Sequence, residues 1–278
     1  MIIKDVTDGK ERAFYHSVDT IFDNCKIKGE EDGESAFKEC RNIKIQSSEL
    51  CLRYPIWHNH NFELVNNLFH IDCRASLWYC VNGSIKDCVL DGVKAVRECK
   101  DITITNSKIN STEFGWKSEN LTLTDCSLVG EYAFLDSKNI SIKNIDFTGK
   151  YSYQYVENMT IEDSKLDTKD AFWHTKNVTV KNSYIKGEYL GWYSENLTLI
   201  NCTIEGTQPL CYCKNLTLKN CKMIKCDLSF EYSEVNATIV GHIDSIKNPI
   251  SGFISAESVD EIIKEDSIYS DTCKIKIG

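Results

Sequence analysis

Residues 170–174, Asp-Ala-Phe-Trp-His, place a carboxylic acid and an imidazole close together in the chain. Both groups serve as general acids and bases in enzymes. In an extended strand Asp170 and His174 lie roughly 13 Å apart, which excludes a Ser-His-Asp relay. Glu188 adds a second carboxylate, and hydrolysis of a glycosidic bond needs two carboxyl groups. Asp170, His174 and Glu188 are therefore the candidate catalytic residues, with Asp170 and Glu188 as the candidate carboxylate pair.

Aromatic and charged residues that could bind a ligand occur at equivalent positions along the chain. Exposed aromatic patches rimmed by charge are typical of binding sites, and arginine and lysine bind carboxylates and phosphates. The basic residues have an alternative role, which is to form ion pairs with Glu34, Glu39, Glu113 or Glu188. The candidate binding residues are Arg53, Tyr54, His58, Arg74, Tyr79, Lys94, Arg97, Glu98, Glu113, Tyr132, Tyr151, Tyr155, Tyr189, Tyr193 and Tyr212.

These residues belong to a repeat that covers most of the chain. Its pattern is Asn, apolar, Thr or Ser, apolar, any residue, Asn or Asp, small, any residue, apolar, and the copies from Asn82 to Asn215 begin 19 residues apart. The apolar residues alternate with polar ones, which predicts a β-strand. Nineteen residues without helical spacing predict one turn of a parallel β-helix, where each strand pairs with its equivalent one turn away. The Asn favours the left-handed backbone of a sharp corner, and stacked amides can hydrogen-bond along the column.

A third strand is predicted in each turn, at positions 12 to 16 when the initial Asn is counted as zero. Alternation predicts that positions 13 and 15 point inward, as with Ala171 and Trp173. Positions 12, 14 and 16 would then face outward, as with Asp170, Phe172 and His174. Stacking would bring these outward residues into one exposed strip, which is predicted to bind a ligand, or else to be covered by the C-terminal residues or a second subunit.

The overall composition limits the partners. A net charge of −9 argues against nucleic acid and anionic membranes, because phosphate binding needs a basic face. No run is apolar enough to span a bilayer, and the N-terminus lacks an apolar signal sequence. Fourteen cysteines without an export signal predict reduced thiols in the cytoplasm. Five cysteines share one repeat position, which holds mostly Ser in the other copies: Cys25, Cys88, Cys126, Cys202 and Cys221. This pattern indicates small buried side chains, so no cofactor or metal is predicted.

Several motifs resemble a known bacterial family over nearly the whole chain, and they fall mainly on the third strand. They include DGESAFKE (32–39), LRYPIWH (52–58), GKYSYQY (149–155), DTKDAFWH (167–174) and GEYLGWYSEN (187–196). The family that they resemble is the one designated domain of unknown function 3737. The resemblance implies a right-handed β-helix of the pectin-lyase-like type and carries no established activity. Other pectin-lyase-like proteins act on polysaccharides, and that analogy rests on fold alone.

The predicted fold is an all-β, right-handed parallel β-helix of about eleven turns that forms a single domain over residues 1–278. Residues 1–18 are the predicted N-terminal cap, 19–235 the turns and 236–278 the C-terminal cap, because open ends would expose unpaired strand edges. Two functions remain open. The first is binding or processing of a saccharide or acidic sugar on the exposed strip. The second is a non-catalytic scaffold or homo-oligomer whose aromatic face contacts protein.

Overall fold

The computed structural model of the chain describes residues 1–29, 34–270 and 272–278. The fold is an all-β parallel β-solenoid of about 14 turns with about 19 residues in each turn. No helix is present in these described ranges. The prediction of a parallel solenoid built on a 19-residue repeat is confirmed, and the structure has more turns than the eleven counted from the repeat.

The chain divides into two compact units, Met1–Ser141 and Ile142–Gly278. The strands of the first unit are β1 (Ile2–Lys4), β2 (Thr7–Asp8), β3 (Ile21–Asp23), β4 (Lys26–Ile27), β5 (Arg41–Gln46), β6 (Glu49–Leu50), β7 (Ile56–Trp57), β8 (His60–Val65), β9 (Leu68–Phe69), β10 (Leu77–Trp78), β11 (Val81–Lys86), β12 (Val89–Asp91), β13 (Val96–Arg97), β14 (Lys100–Thr105), β15 (Lys108–Asn110), β16 (Glu119–Thr124) and β17 (Ser127–Glu131). Strand β18 (Lys138–Lys143) begins in the first unit and ends in the second.

The remaining strands lie in the second unit. They are β19 (Asp146–Lys150), β20 (Glu157–Glu162), β21 (Lys165–Lys169), β22 (Lys176–Lys181), β23 (Tyr184–Lys186), β24 (Glu195–Ile200), β25 (Thr203–Glu205), β26 (Leu216–Ile224), β27 (Glu234–Ile239), β28 (His242–Lys247), β29 (Ser251–Ala256), β30 (Ser258–Ile263) and β31 (Lys274–Ile277).

The Asn repeats form strands in register with their equivalents one turn away. In the second unit, Val178 of β22 pairs with Leu197 of β24 and Val180 pairs with Leu199, and all four side chains are buried. The threonine between them, Thr179, faces outward. Burial of each such aliphatic side chain contributes about 1.5–3 kcal/mol relative to exposure. The alternation read from the sequence is therefore confirmed for this strand.

Amide ladders form along the column of initial Asn residues. In the first unit, Asn82 Nδ2 donates to Asn61 Oδ1 at 2.7 Å, Asn61 donates to Asn42 at 3.1 Å, and Asn42 donates to Asp19 at 3.0 Å. The second unit repeats the arrangement from Asn215. These asparagines adopt φ angles near +55°, such as 56° for Asn82, as expected for a corner residue. Each amide donates toward the preceding turn.

The repeated cysteines lie inside the turns. Cys25, Cys88, Cys126, Cys202 and Cys221 are all at most 5% exposed, and every cysteine of the chain is a free thiol. Cys126 Sγ donates to the carbonyl oxygen of Thr124 at 3.2 Å, and burial raises the pKa of this thiol. The interpretation of this position as small, buried and weakly polar is confirmed.

The third side of the turns differs from the prediction. Short strands β7, β10 and β13 pair there, but from residue 113 onward, in both units, the chain forms turns in which alternate residues have positive φ. Asp170, Phe172 and His174 have φ values of 54°, 62° and 55°. Left-handed residues break the two-residue alternation of a strand. The expected outward orientation of Phe172 is therefore wrong: its side chain is fully buried, while Trp173, expected inside, is only half-buried.

The segments expected to cap the solenoid contain further turns. Residues 1–18 include β1 and β2, which pair with β3 and β4, and residues 236–278 include β28 to β31. These additional turns account for the higher turn number. The start of the DGESAFKE motif and most of the acidic segment before it, residues 30–33, lie outside the described residues.

Candidate functional site

Side chains at position 16 of the second unit lie at the surface of the third side. Tyr155 is 52% exposed and Tyr193 is 46% exposed, and His174 between them is also exposed. These orientations agree with the sequence, whereas at position 12 Tyr151 and Tyr189 are half-buried and Asp170, expected to face outward, is buried. The side chains at position 14, Tyr153 and Phe172, are fully buried and stack on each other at 4.9 Å. Phe172 is thus part of the core and not of a site.

The rings at position 16 form a continuous stack. Tyr155 and His174 are 5.0 Å apart between centroids with a 6° angle between planes, and His174 and Tyr193 are also 5.0 Å apart at 7°. Tyr212 extends the stack at 4.7 Å from Tyr193. Because His174 and Tyr212 cover both faces of Tyr193, this ring presents its edge to solvent. Tyr193 therefore has no free face on which a ligand ring could stack.

A different arrangement occurs at position 12, where a short side chain separates two long ones. Asp170 lies between Tyr151 of the preceding turn and Tyr189 of the following turn. Equivalent residues two turns apart are separated by roughly 9.5 Å, since each strand spacing is about 4.8 Å. The column therefore places one short side chain, with a carboxyl group, between two tyrosine positions. We name the three positions Tyr151, Asp170 and Tyr189 the Asp170 notch.

Asp170 is unusual among the acidic residues of the protein because it is only 6% exposed. No hydrogen bond to its carboxyl oxygens is present among the described residues. Burial raises the pKa of Asp170, nearby Lys169 opposes that rise, and the negative charge of Glu188 adds to it. A buried carboxyl group without a donor is costly in a folded protein, and such groups occur preferentially at functional sites.

Glu188 has a different environment from Asp170. Lys169 Nζ lies 2.8 Å from Glu188 Oε2, and both side chains are about half exposed, at 47% and 49%. The hydrogen bond to Glu188 raises the pKa of Lys169. Lys169 Nζ also lies 5.3 Å from the ring centroid of Tyr189. The site thus contains one carboxyl group whose pKa is raised by burial and one paired with an ammonium group.

Position 15 supplies hydrogen bonds that hold the notch residues in place. Trp173 Nε1 donates to the carbonyl oxygen of Tyr189 at 2.6 Å, and Gln154 Nε2 donates to that of Asp170 at 3.2 Å. Trp192 makes the equivalent bond to Gln208 at 2.8 Å. Position 15 was predicted to point inward. The N–H donor shared by Gln154, Trp173 and Trp192 is the sequence signal for this hydrogen-bonding role, since a purely apolar core position would not require one.

Candidate residues in the first unit form ion pairs and cation–π contacts. The Arg97 guanidinium lies 4.8 Å from the ring centroids of both Trp78 and Trp116. Glu98 accepts a hydrogen bond from Trp78 Nε1 at 3.1 Å and forms an ion pair with Arg97 at 3.5 Å. Burial opposes ionisation of Glu98, but hydrogen bonds from Tyr79 and Trp78 and the charge of Arg97 lower its pKa overall. The charges of Arg97 and Glu98 are thus paired with each other, although Arg97 Nε and Trp116 Nε1 are buried without a hydrogen-bond partner among the described residues.

The other predicted basic residues of the first unit are mostly paired as well. Arg53 contacts Glu34 at 2.7 Å and Lys94 contacts Glu113 at 2.9 Å, so the ion-pair interpretation holds for both. Arg74 is exposed. The remaining candidates contribute rings: Tyr54 lies 5.6 Å from Trp78, His58 stacks on Tyr79 at 5.0 Å, and Tyr132 is 36% exposed.

The family model described as "Protein of unknown function (DUF3737)" matches residues 1–277. The chain belongs to this family. The family resemblance inferred from the third-strand motifs is therefore confirmed. No curated protein matches the DUF3737 protein.

Solved structures similar to the DUF3737 protein have low sequence identity. The A-module of mannuronan C-5 epimerase AlgE4 from Azotobacter vinelandii gives a TM-score of 0.36 at 10% identity, over 86% of this chain and 88% of that one. PfbA, a surface adhesin of Streptococcus pneumoniae, gives 0.35 at 10% identity, over 94% and 75%. Tailspike protein 3 of bacteriophage CBA120 gives 0.27 at 10% identity, over 99% and 50%. Likenesses this weak do not bear on the function of the DUF3737 protein.

The described part of the chain has neither a metal-binding cluster of side chains nor a membrane-spanning helix. Within residues 1–29, 34–270 and 272–278, no group of three or more His, Cys, Asp or Glu side chains is arranged to hold a metal ion. The same part of the DUF3737 protein contains no helix with the length and apolar character needed to cross a bilayer.

Proposed function

We propose that the Asp170 notch binds one ring of a saccharide and that Asp170 is its hydrogen-bonding and proton-donating residue. The observation that carries this proposal is the burial of Asp170 without a hydrogen-bond partner among the described residues. A ligand hydroxyl placed in the notch would donate to a carboxyl group that accepts no hydrogen bond from the described residues.

The dimensions of the notch support a single ring. Tyr151 and Tyr189 occupy equivalent positions two turns apart, roughly 9.5 Å from each other. A ring held between them needs a contact of about 3.5–4.0 Å on each side. The gap therefore suits one ring and excludes two. Aromatic walls with a few convergent polar groups are typical of small-molecule sites.

The charges of the notch also suit chemistry at a glycosidic bond. Burial raises the pKa of Asp170, which is the proposed acid, while Glu188 forms an ion pair with Lys169. Glycoside hydrolysis commonly uses two carboxyl groups, one of them an acid with a raised pKa. His174 does not join them, because it is stacked between Tyr155 and Tyr193.

The test is a thermal-shift screen of the protein against neutral monosaccharides, uronic acids and oligosaccharides, followed by calorimetric titration of any ligand that raises the melting temperature. Asp170→Asn keeps the size of the side chain and removes the acid, and we expect it to weaken binding at least tenfold. Asp136→Asn is the matched control, because Asp136 is an exposed acid paired with Lys117 at 3.8 Å. The proposal fails if no saccharide binds, or if both variants bind as the wild type does.

A second candidate function follows from the ring stack at position 16. Tyr155, Tyr193 and Tyr212 expose ring edges and hydroxyl groups, which suits a protein interface better than a sugar-stacking surface. We propose that a second copy of the chain packs against this stack. The double variant Tyr155→Ser, Tyr193→Ser is expected to remain folded and to shift a dimer to a monomer in light scattering coupled to gel filtration. A monomeric wild-type protein at high concentration would contradict this role.

A further inference from the structure

A polar groove of about 700 Å³ lies on the first unit, along the column of initial Asn residues. This volume falls within the range of small-molecule sites. Its lining residues come mainly from β3, β5, β8, β11 and β14 and the corners before them. They include Asp19, Asn42, Asn61, Asn82, Ser84 and Asp101. We name it the Asn groove. It lies in a different unit from the Asp170 notch, and the inference below does not depend on the proposed saccharide.

The amide ladder is interrupted within the Asn groove. Asn82 donates to Asn61 in the preceding turn, and Asp101 accepts from Asn120 at 2.6 Å in the following turn. Between Asn82 and Asp101, the described structure contains no hydrogen bond. An ionised aspartate has no donor. Asn82 Oδ1 and the Asp101 carboxylate are therefore neighbouring acceptors with no hydrogen between them.

Two hydroxyl groups lie beside this interruption. Ser84 and Thr103 are paired in register on β11 and β14, and both are exposed. They follow Asn82 and Asp101 by two residues along their strands. Neighbouring strands are about 4.8 Å apart, and the four residues, all of which line the groove, form a small rectangle of positions. Their oxygen atoms can surround one small group.

The charge of the groove favours a cation. Three carboxylates line it, those of Asp19, Glu63 and Asp101, against one ammonium group, that of Lys44. Lys44 lies 3.5 Å from Glu63, which leaves the carboxylates at Asp19 and Asp101 outside that ion pair. A ligand that supplies both hydrogen-bond donors and positive charge would complement the interruption.

We propose that the rectangle of Asn82, Ser84, Asp101 and Thr103 binds an aliphatic ammonium group, carried by a polyamine or by an amino sugar. An ammonium group has three N–H donors and no acceptor. It would donate to Asn82 Oδ1, to the Asp101 carboxylate and to one hydroxyl. In doing so it supplies the donor that is missing from the ladder at this turn.

The test compares two substitutions that each supply a missing N–H donor to a column of corner side chains. Asp101→Asn gives the missing donor to Asn82 and removes the charge inside the groove. A second column of corner side chains in the same unit contains Asp87, which accepts a hydrogen bond from Asn106. Asp87→Asn supplies a donor in that column, and Asp87 does not line the groove. Both variants are expected to raise the melting temperature by similar amounts. Calorimetric titrations at low ionic strength use spermidine, a glucosamine trimer and its N-acetylated form.

We expect spermidine, the glucosamine trimer or both to bind the wild-type protein and the Asp87→Asn variant equally. Binding to Asp101→Asn should be at least tenfold weaker, and the N-acetylated trimer should not bind in the groove. Binding of spermidine alone assigns a polyamine, and binding of the trimer alone assigns an amino sugar. Absence of binding by either amine overturns the proposal, as does an equal loss in both variants. Neither outcome affects the Asp170 notch, which is tested by Asp170→Asn.

Discussion

Phe172→Ala is expected to lower the free energy of unfolding by about 3–5 kcal/mol. Phe172 is fully buried and stacks on Tyr153 at 4.9 Å, so its removal leaves a cavity in a tightly packed turn. Urea denaturation followed by tryptophan fluorescence gives this quantity. His174→Ala is the matched control two residues away, because His174 is exposed and its loss removes one ring from a surface stack.

The comparison decides how the third side is oriented. A strand with the alternation inferred from the sequence would expose Phe172, and its substitution would then change stability by no more than that of His174. Similar losses for the two variants would contradict the inward orientation of position 14. A loss confined to Phe172→Ala would support it.

Asp170→Asn is expected to make the protein more stable than the wild type at neutral pH, because the variant lacks a buried ionisable carboxyl group. Burial raises the pKa of Asp170 above its ordinary value of 3.8, so the folded state holds this proton more tightly than the unfolded state. Below 3.8 the carboxyl group is protonated in both states and contributes no difference. As the pH rises from 3.8 through the folded-state pKa, the unfolded state ionises first and stability is lost. The asparagine variant lacks this loss.

Urea titrations at acid and neutral pH measure this effect. The stability difference between Asp170→Asn and the wild type should be small at about pH 3.5 and should grow as the pH rises, following the raised pKa of Asp170. Asp136→Asn, which alters an exposed acid, should show no comparable trend. A variant that is less stable than the wild type at neutral pH would indicate that the Asp170 carboxylate has a favourable partner in the folded protein.

The first strand of each turn was predictable because its sequence pattern and its environment agree. Val178 and Val180 alternate with Thr179, and a flat strand with one buried face converts that alternation directly into burial. The Asn column was equally predictable, because a corner residue needs a left-handed backbone and few side chains tolerate it. Both features depend only on local conformation.

The third side was not predictable in the same way. Its residues also alternate, but Asp170, Phe172 and His174 have positive φ, and such turns direct side chains differently from a strand. The large apolar residues at position 14 were a sequence signal for burial, and all of them are buried: Phe134, Tyr153, Phe172 and Leu210. For the site, the sequence placed Asp170 between two tyrosines, but its depth depends on packing by neighbouring turns and was not evident.

The one-way amide ladders have a consequence for how such a chain lengthens during evolution. A turn that begins with Asn accepts a hydrogen bond on one side and donates one on the other, so a duplicated copy fits between any two of its kind. A turn that begins with Asp, as at Asp19 or Asp101, accepts without donating and starts a new run. A duplicated 19-residue module that begins with Asn therefore fits within a run, while one that begins with Asp leaves the acceptor of the preceding turn without a donor.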